Sequence, residues 1–248
     1  MSKIFIVTQA RLNSTRFPKK ILKEINGKSL LQIHLESLSK SKYFKNLIVA
    51  TTREKGIDKV LELIRRNSIK YFQGSTDDVL DRYYKAVLPY KPDYVVRVTS
   101  DCPLIDGNLI DEIVDFALNK SIDYVSNTLI ENFPDGQDIE VISWGALKKA
   151  WRFAKKPYER EHVTIFIKDN STFNKSDMFT SENFLSEKNY NHIRMTLDEK
   201  SDYDAIKILI NDLGLGRDWL TYTEHINNNP LLFSNQHLIR NEGSKLKI

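Results

Sequence analysis

The sequence predicts an α/β fold: three layers, with helices on both faces of a mostly parallel sheet, and a small irregular arm in the second half. In the first half, short β-branched runs alternate with segments of helical period. Strands separated by helices are joined by right-handed crossovers, which set neighbours parallel and bury both sheet faces. The polar, weakly periodic stretch at 170–192 gives the heart of the arm, which reads as spanning about 130–192.

The first strand is KIFIV, 3–7. Leu30, Leu31, Ile33, Leu35 and Leu38 then form an apolar stripe for a helix that Ser29 can cap. NLIVATT at 46–52 is a second strand, and Ile57, Val60, Leu61 and Ile64 follow at near-ideal helical spacing. IKYFQG at 69–74 is a third; Ser75 or Thr76 can cap the next helix, whose inner face is Val79, Tyr83, Ala86 and Val87. YVVRVTSD at 94–101 is a fourth, followed by a helix over about 108–118 and a strand at 123–128. Beyond it, 139–144 and 194–198 read as strands, 145–154 and about 159–168 as helices, and a helix capped by Ser201 carries Tyr203, Ile206, Leu209 and Ile210. One domain over 1–242 is expected, with a loose tail from Gly243.

Composition excludes several classes. The chain has 248 residues, 41% hydrophobic, long enough for a substantial core. A net charge of +4 from 37 basic and 33 acidic residues gives no nucleic-acid signature, and the basic residues do not interleave with aromatics as a stacking platform would. The lone Cys102 excludes an internal disulfide and agrees with a cytoplasmic location. No stretch nears the ~20 apolar residues of a membrane span, so no membrane partner is expected. Walker and dinucleotide glycine motifs are missing.

Local charge is more informative. QARLNSTRFPKK (9–20) carries Arg11, Arg16, Lys19 and Lys20 with no acid among them, and such cations repel unless an anion or neighbouring carboxylate relieves them. In open parallel sheets the ligand crevice lies beyond the carboxyl ends of the strands. There this loop meets Asp101 and Asp198, each placed at a strand end. Cations beside two carboxylates suit a polyphosphate bound with magnesium, which takes one or two carboxylates plus phosphate oxygens.

The stretch Ala10-Arg11-x-x-Ser14-Thr15-Arg16-x-Pro18-x-Lys20 resembles the nucleotide-binding signature of the sugar cytidylyltransferases, the group of the CMP-Kdo and CMP-sialic acid synthetases. The likeness is greatest to the spore-coat-polysaccharide branch. It continues through Gly74-Ser75-x-Asp77-Asp78-Val79-Leu80-Asp81-Arg82-Tyr83, Asp101-Cys102-Pro103-Leu104-Ile105, Asp135-Gly136-x-Asp138-x-Glu140-Val141, Tyr158-Glu159-Arg160-Glu161-His162-Val163-Thr164 and Thr196-Leu197-Asp198. Six motifs in order across about 3–210 make a specific signal.

The resemblance implies a Rossmann-like nucleotide-diphospho-sugar transferase fold and transfer of CMP from CTP to a sugar or polyol hydroxyl, with release of pyrophosphate. It implies Arg11, Arg16, Lys20 and Asp101 as catalytic residues, and a Mg2+ ion on Asp101 and Asp198. The nucleotide would be held by Ala10, Arg11, Ser14, Arg16, Lys20, Gly74, Ser75, Asp78, Arg82 and Thr99. Asp135, Gly136, Asp138, Glu140, Glu159, Arg160, His162 and Arg194 would face the acceptor, an ulosonic, acidic or amino sugar or a polyol used for surface glycans. A homodimer is implied. Two departures stand out: Lys19 where the CMP-Kdo enzymes have glycine, and Thr99 where better-known members have glutamine.

Plainer readings stand beside these. Asp77, Asp78 and Asp81 can serve only a helix terminus, and Arg82 only an i+4 pair with Asp78. Asp202 reads as a first-turn helix residue, Cys102 as buried and inert, and Trp144, Trp151, Tyr83 and Tyr84 as core or interface aromatics. Two other functions remain open: a glycosyltransferase of related architecture that consumes a nucleotide-sugar, and a non-catalytic nucleotide-binding protein.

Overall fold

The computed structural model describes residues 2–14 and 16–240; Thr15 and the tail expected from Gly243 lie outside that range. β1 (Ile4–Ala10) is followed by a hairpin, β2 (Glu24–Ile25) and β3 (Lys28–Ser29), turned by Asn26 and Gly27 at φ 51° and 78°. Asn-Gly supplies the two left-handed residues that such a turn needs. Ser29 caps α1 (Leu30–Leu38), its side chain accepting from the Gln32 amide at 3.2 Å. Next come β4 (Leu47–Thr52), α2 (Asp58–Arg66), β5 (Lys70–Gly74), α3 (Val79–Val87), β6 (Tyr94–Thr99) and α4 (Gly107–Lys120).

The second half holds β7 (Tyr124–Ser126), β8 (Glu140–Ser143), α5 (Trp144–Phe153), α6 (Pro157–Glu161), α7 (Ile165–Asp169), β9 (Ser181–Asn183), α8 (Lys200–Leu213) and α9 (Trp219–Asn228). Among the described residues the main sheet has seven strands in the order β5-β4-β1-β6-β8-β7-β9. β8 runs antiparallel to both neighbours and the other pairings are parallel, so the mostly parallel, doubly covered α/β sheet is present. No helix is long and apolar enough to cross a membrane among the described residues.

Side-chain alternation along the strands divides the core. Ile4, Ile6, Val49, Val96 and Val98 pack with α1, α2 and α4; Phe5, Val7, Ile48, Ala50 and Val95 pack with α3, α5 and α7. A third cluster joins Leu30 and Ile33 of α1 to Ile193, Met195 and Leu197 and to α8 and α9. Tyr84 is buried and stacks on Trp151 at 4.3 Å and Trp144 at 5.2 Å, so these aromatics are core.

Several expectations need correction. Asp78, not Ser75 or Thr76, caps α3, accepting from the Asp81 amide at 2.9 Å; Ser75 Oγ instead accepts from the amides of Asp77 and Asp78. The helix expected over 159–168 is two short ones, broken where Val163 takes φ 60°. Glu199, not Ser201, caps α8. The arm is less irregular than expected, since β9 adds to the sheet beside β7. Residues 194–198 form no strand: one bridge links Asp135 to Arg194, and the Leu197 amide turns to the carbonyl of Asp101 at 2.7 Å.

His34 ties α1 to β1 and to the turn after β6. Its Nδ1 donates to the Cys102 carbonyl at 2.8 Å, so Nε2 accepts from the Thr8 hydroxyl at 2.9 Å. Burial, the largest effect, lowers its pKa from 6.5 to about 4. Between those values the unfolded chain binds the extra proton, so this site's stability is complete above pH 6.5 and drains away as pH falls toward 4. By pH 5 the loss should reach about 2 kcal/mol. Urea unfolding at pH 7 and pH 5 should show that drop in the native protein and a smaller one in His34→Gln.

Candidate active site

β1 and β6 end side by side, with Gln9 in register with Thr99, so the loops that follow leave one edge of the sheet together. The basic loop folds back on itself: the Lys19 amide donates to the Leu12 carbonyl at 3.2 Å, and the Lys20 amide to that of Phe17 at 3.2 Å. Lys19 sits at φ 55°, ψ 27°, a left-handed conformation that glycine adopts without strain. The departure from glycine at this position therefore bears on backbone geometry. The Lys19 side chain is exposed.

Arg16 and Lys20 meet carboxylates brought from far along the chain. Lys20 Nζ lies 2.9 Å from Asp198 Oδ1 and 3.5 Å from Asp101 Oδ2, and it also donates to the Leu197 carbonyl. Arg16 Nη2 reaches Asp198 Oδ2 at 3.0 Å, with Glu199 at 3.8 Å. Burial works against the charge on Lys20, but Asp101 and Asp198 outweigh it and raise its pKa. Burial likewise works against ionised Asp101, and Lys20 leads the groups that bring its pKa below the ordinary value. Glu54 relieves the front of the loop: its carboxylate accepts from the amides of Leu12 at 2.6 Å and Asn13 at 3.2 Å.

Asp198 reaches this edge because the segment before it is clamped. Arg194, 4% exposed, donates to both oxygens of Asp202 at 2.8 and 2.9 Å and to Asp135 Oδ2 at 2.8 Å. Asp202 also accepts from the Asp198 and Glu199 amides at 2.8 and 2.9 Å. On the other side, Gly136 at φ 110° passes so close that a Cβ there would lie 2.7 Å from the Met195 carbonyl carbon. The Thr196 hydroxyl donates to the Asp101 carbonyl at 3.1 Å, joining the two candidate metal positions through backbone.

The remaining candidates fall into two groups. Gly74, Ser75, Asp78 and Arg82 gather at the start of α3, where Gly74 and Ser75 line a cavity of about 500 Å³ with Arg53, Glu54, Phe72 and Gln73. Arg82 is buried, and its Nη1 donates to the Ser75 carbonyl at 2.6 Å. The i+4 pair with Asp78 is not formed: Arg160 binds that carboxylate through Nε at 3.0 Å and Nη2 at 2.7 Å. Arg160 thus joins the Gly74–Arg82 group, and Glu159 accepts from the Lys155 and Lys156 amides at the start of α6; His162 closes the same helix.

Asp138 instead belongs near Asp135, held by the guanidinium of Arg240. Burial first, then the charge of Asp138, pushes Asp135 up to about 7 despite Arg240 and Arg194. Glu140 is buried between Arg97 and the Tyr124 hydroxyl. Ser14 Oγ accepts from the Phe17 amide at 3.4 Å, and the Ala10 carbonyl from Thr51. Arg11 is exposed, yet near enough to disfavour charge on Arg82. Cys102 is buried, which pushes its thiol well up, away from nucleophilic use.

Sequence reasoning missed Glu54, Glu199, His34 and Arg240. Glu54 follows a strand end just as Asp101 does, so the same rule would have found it. His34 lies on the apolar stripe of α1 four residues from Leu30 and Leu38, a polar side chain where only apolar ones belong.

Among the described residues no group of three or more His, Cys, Asp or Glu side chains is arranged to hold a metal ion. Asp101 and Asp198 nevertheless already share one cation, the Lys20 ammonium. Two carboxylates with the remaining positions left to phosphate and water suit magnesium better than zinc.

Removing Arg194 would leave Asp202, wholly buried, without its counter-ion. Arg194→Met should lower unfolding stability by about 3–5 kcal/mol, and Arg194→Met with Asp202→Leu should recover part of it, both read by urea denaturation.

Residues 4–239 match the family model described as cytidylyltransferase. The chain is 39% identical over 201 residues to an uncharacterized protein of Methanocaldococcus jannaschii, covering 81% of this chain and 80% of that one. It is 31% identical over 220 residues to the spore coat polysaccharide biosynthesis protein SpsF of Bacillus subtilis, covering 86% and 89%. A solved structure of a cytidylyltransferase from Leptospira borgpetersenii serovar Hardjo-bovis superposes with a TM-score of 0.89 at 33% identity, over 97% of this chain and all of that one. The protein whose Arg16 and Lys20 are paired with Asp101 and Asp198 at the sheet edge is thus a member of the cytidylyltransferase family.

Proposed function

We propose that this chain transfers CMP from CTP to a hydroxyl of a small sugar or polyol, an ulosonic, acidic or amino sugar among them, with magnesium bound and pyrophosphate released. The observation that carries the reading is the cluster of Arg16, Lys20, Asp101 and Asp198: a ready cation position beside donors for phosphate, at the edge where open α/β sheets take ligands. The name of the SpsF relative supports a place in polysaccharide synthesis.

Asp101 and Asp198 would hold the ion, which when bound offsets phosphate charge and orients the oxygens. The chain's own residues do the rest. Arg11 and Arg16 present planar forks to the triphosphate, and Lys20 turns its ammonium from the two carboxylates toward a phosphate oxygen. The acceptor oxygen bonds to the α-phosphorus, the bond to the bridging oxygen of the β-phosphate breaks, and pyrophosphate leaves with that electron pair as the hydroxyl proton is released. Electrostatic positioning of this kind is the main lever for phosphoryl and nucleotidyl transfer. Asp138, with its side chain 30% exposed, is the best placed of the acceptor candidates; Asp135, Gly136, Glu140 and Arg194 shape that side from behind. A homodimer in the cytoplasm completes the reading, the exposed Leu231, Leu232 and Ile239 being apolar surface that a second copy can cover.

The test is pyrophosphate release from CTP and magnesium across a panel of ulosonic acids, acidic and amino sugars, and polyols. Asp198→Asn and Arg16→Ala should each lower the rate by about 10²–10³-fold. Lys19→Gly should stay within about twofold of the native rate, since it removes an exposed charge and relaxes a left-handed residue. No release with any acceptor, together with no binding of CTP, would sink the proposal.

A further inference from the structure

Among the described residues, the buried side-chain atoms left without a hydrogen-bond partner are Gln9 Oε1, Arg82 Nε, Arg97 Nε and Arg240 Nε. The first three belong to one face of the sheet. Phe5 and Val7 of β1 pack under α3 whereas Ile4, Ile6 and Ala10 face the opposite way, so alternation puts Gln9 on the α3 side. Arg97 shares that side, its guanidinium 5.9 Å from the ring centroid of Tyr83 on α3. Arg82 precedes Tyr83 and is 1% exposed.

The register extends Gln9 into a row. Thr99 pairs with Gln9, Gln9 with Ala50, and Ala50 with Phe72. These positions form a floor across four strands, low at Ala50, and Phe72 at its end lines the cavity that Gly74 and Ser75 wall. Glycine keeps that wall flat, because a Cβ at 74 would lie 3.0 Å from the Phe72 ring and 3.1 Å from Arg82 Cγ. A flat backbone wall and an aromatic edge suit a planar ring. A carboxamide oxygen in the floor needs a donor, which excludes a phosphate as its partner. A buried acceptor left unpaired is costly unless something fills it.

We infer that Gln9 determines base specificity, its side-chain oxygen accepting a hydrogen bond from the exocyclic amino group of the pyrimidine. The guanidiniums of Arg82 and Arg97 lie on the same face, and a cation beside a carboxamide attracts its oxygen rather than its amino group. An amino-pyrimidine then completes the pair, while a pyrimidine with a keto oxygen at that position sets two acceptors against each other. The inference rests on the CTP reading and adds the residue that separates CTP from UTP.

Binding of CTP and UTP is measured by calorimetry in magnesium for the native protein, for Gln9→Met, which keeps volume without the acceptor, and for Gln9→Glu, which keeps an acceptor oxygen. The native protein should prefer CTP. Gln9→Met should lose CTP affinity by about 10–100-fold, with UTP affinity unchanged within about twofold, and Gln9→Glu should still prefer CTP. Equal losses for both nucleotides would make Gln9 a ribose or packing residue and overturn the inference, as would a preference for CTP that survives in Gln9→Met. Either result leaves the CTP reading intact. Native protein that binds neither nucleotide removes that reading, and this inference with it.

Discussion

Everything at the sheet edge depends on one ammonium group. Lys20 stands between Asp101 and Asp198, residues 97 positions apart in the sequence (198 − 101), and without a cation there the two carboxylates would repel across a partly buried gap. The excess positive charge of the loop and the convergence of two acids are therefore one feature. Each solves the electrostatic problem the other creates. On the proposed function, a metal-bound polyphosphate would exchange into this arrangement of a cation between two carboxylates, so that stability without ligand and readiness for ligand would come from the same charges.

That arrangement needs Asp198 held to its place, though it lies outside any strand. Apolar packing of Ile193, Met195 and Leu197 against α1, α8 and α9 sets the height of the segment. The guanidinium of Arg194 fixes its rotation by joining Asp135 to Asp202. Gly136 admits the backbone approach that a side chain would block. A fully satisfied buried ion network is a directional constraint of this kind, whereas hydrophobic contact alone would let the segment slide. Arg194 and Asp135 form the frame that aims Asp198.

The layers, the strand alternation and the charge of the basic loop were legible because periodicity and strand-end chemistry are local. What escaped reading was long-range. Residues 194–198 have the composition of a strand, yet the partner that would complete a ladder is missing: Gly136 crowds one side, and the Asp101 carbonyl takes the next amide. Arg160 carries charge suited to an acceptor, but only the tertiary fold brings it to Asp78 across 82 positions (160 − 78). The β2–β3 hairpin was written plainly in Asn26-Gly27 and overlooked. Glu54, just after β4, falls under the same strand-end rule as the loop after β1 and Asp101 after β6.

On the proposed function, ligand binding is exchange rather than addition. Arg16 and Lys20 are already paired, and the amides of Leu12 and Asn13 already donate to Glu54, so a triphosphate gains only the difference between its contacts and those it displaces. A triphosphate arriving alone would draw Lys20 away and expose Asp101 to Asp198; a metal arriving alone would face the ammonium already between them. Together they conserve charge at each step. The geometry therefore favours metal and nucleotide entering as one unit, with the base contacts deciding which nucleotide and the loop deciding only that it is a triphosphate.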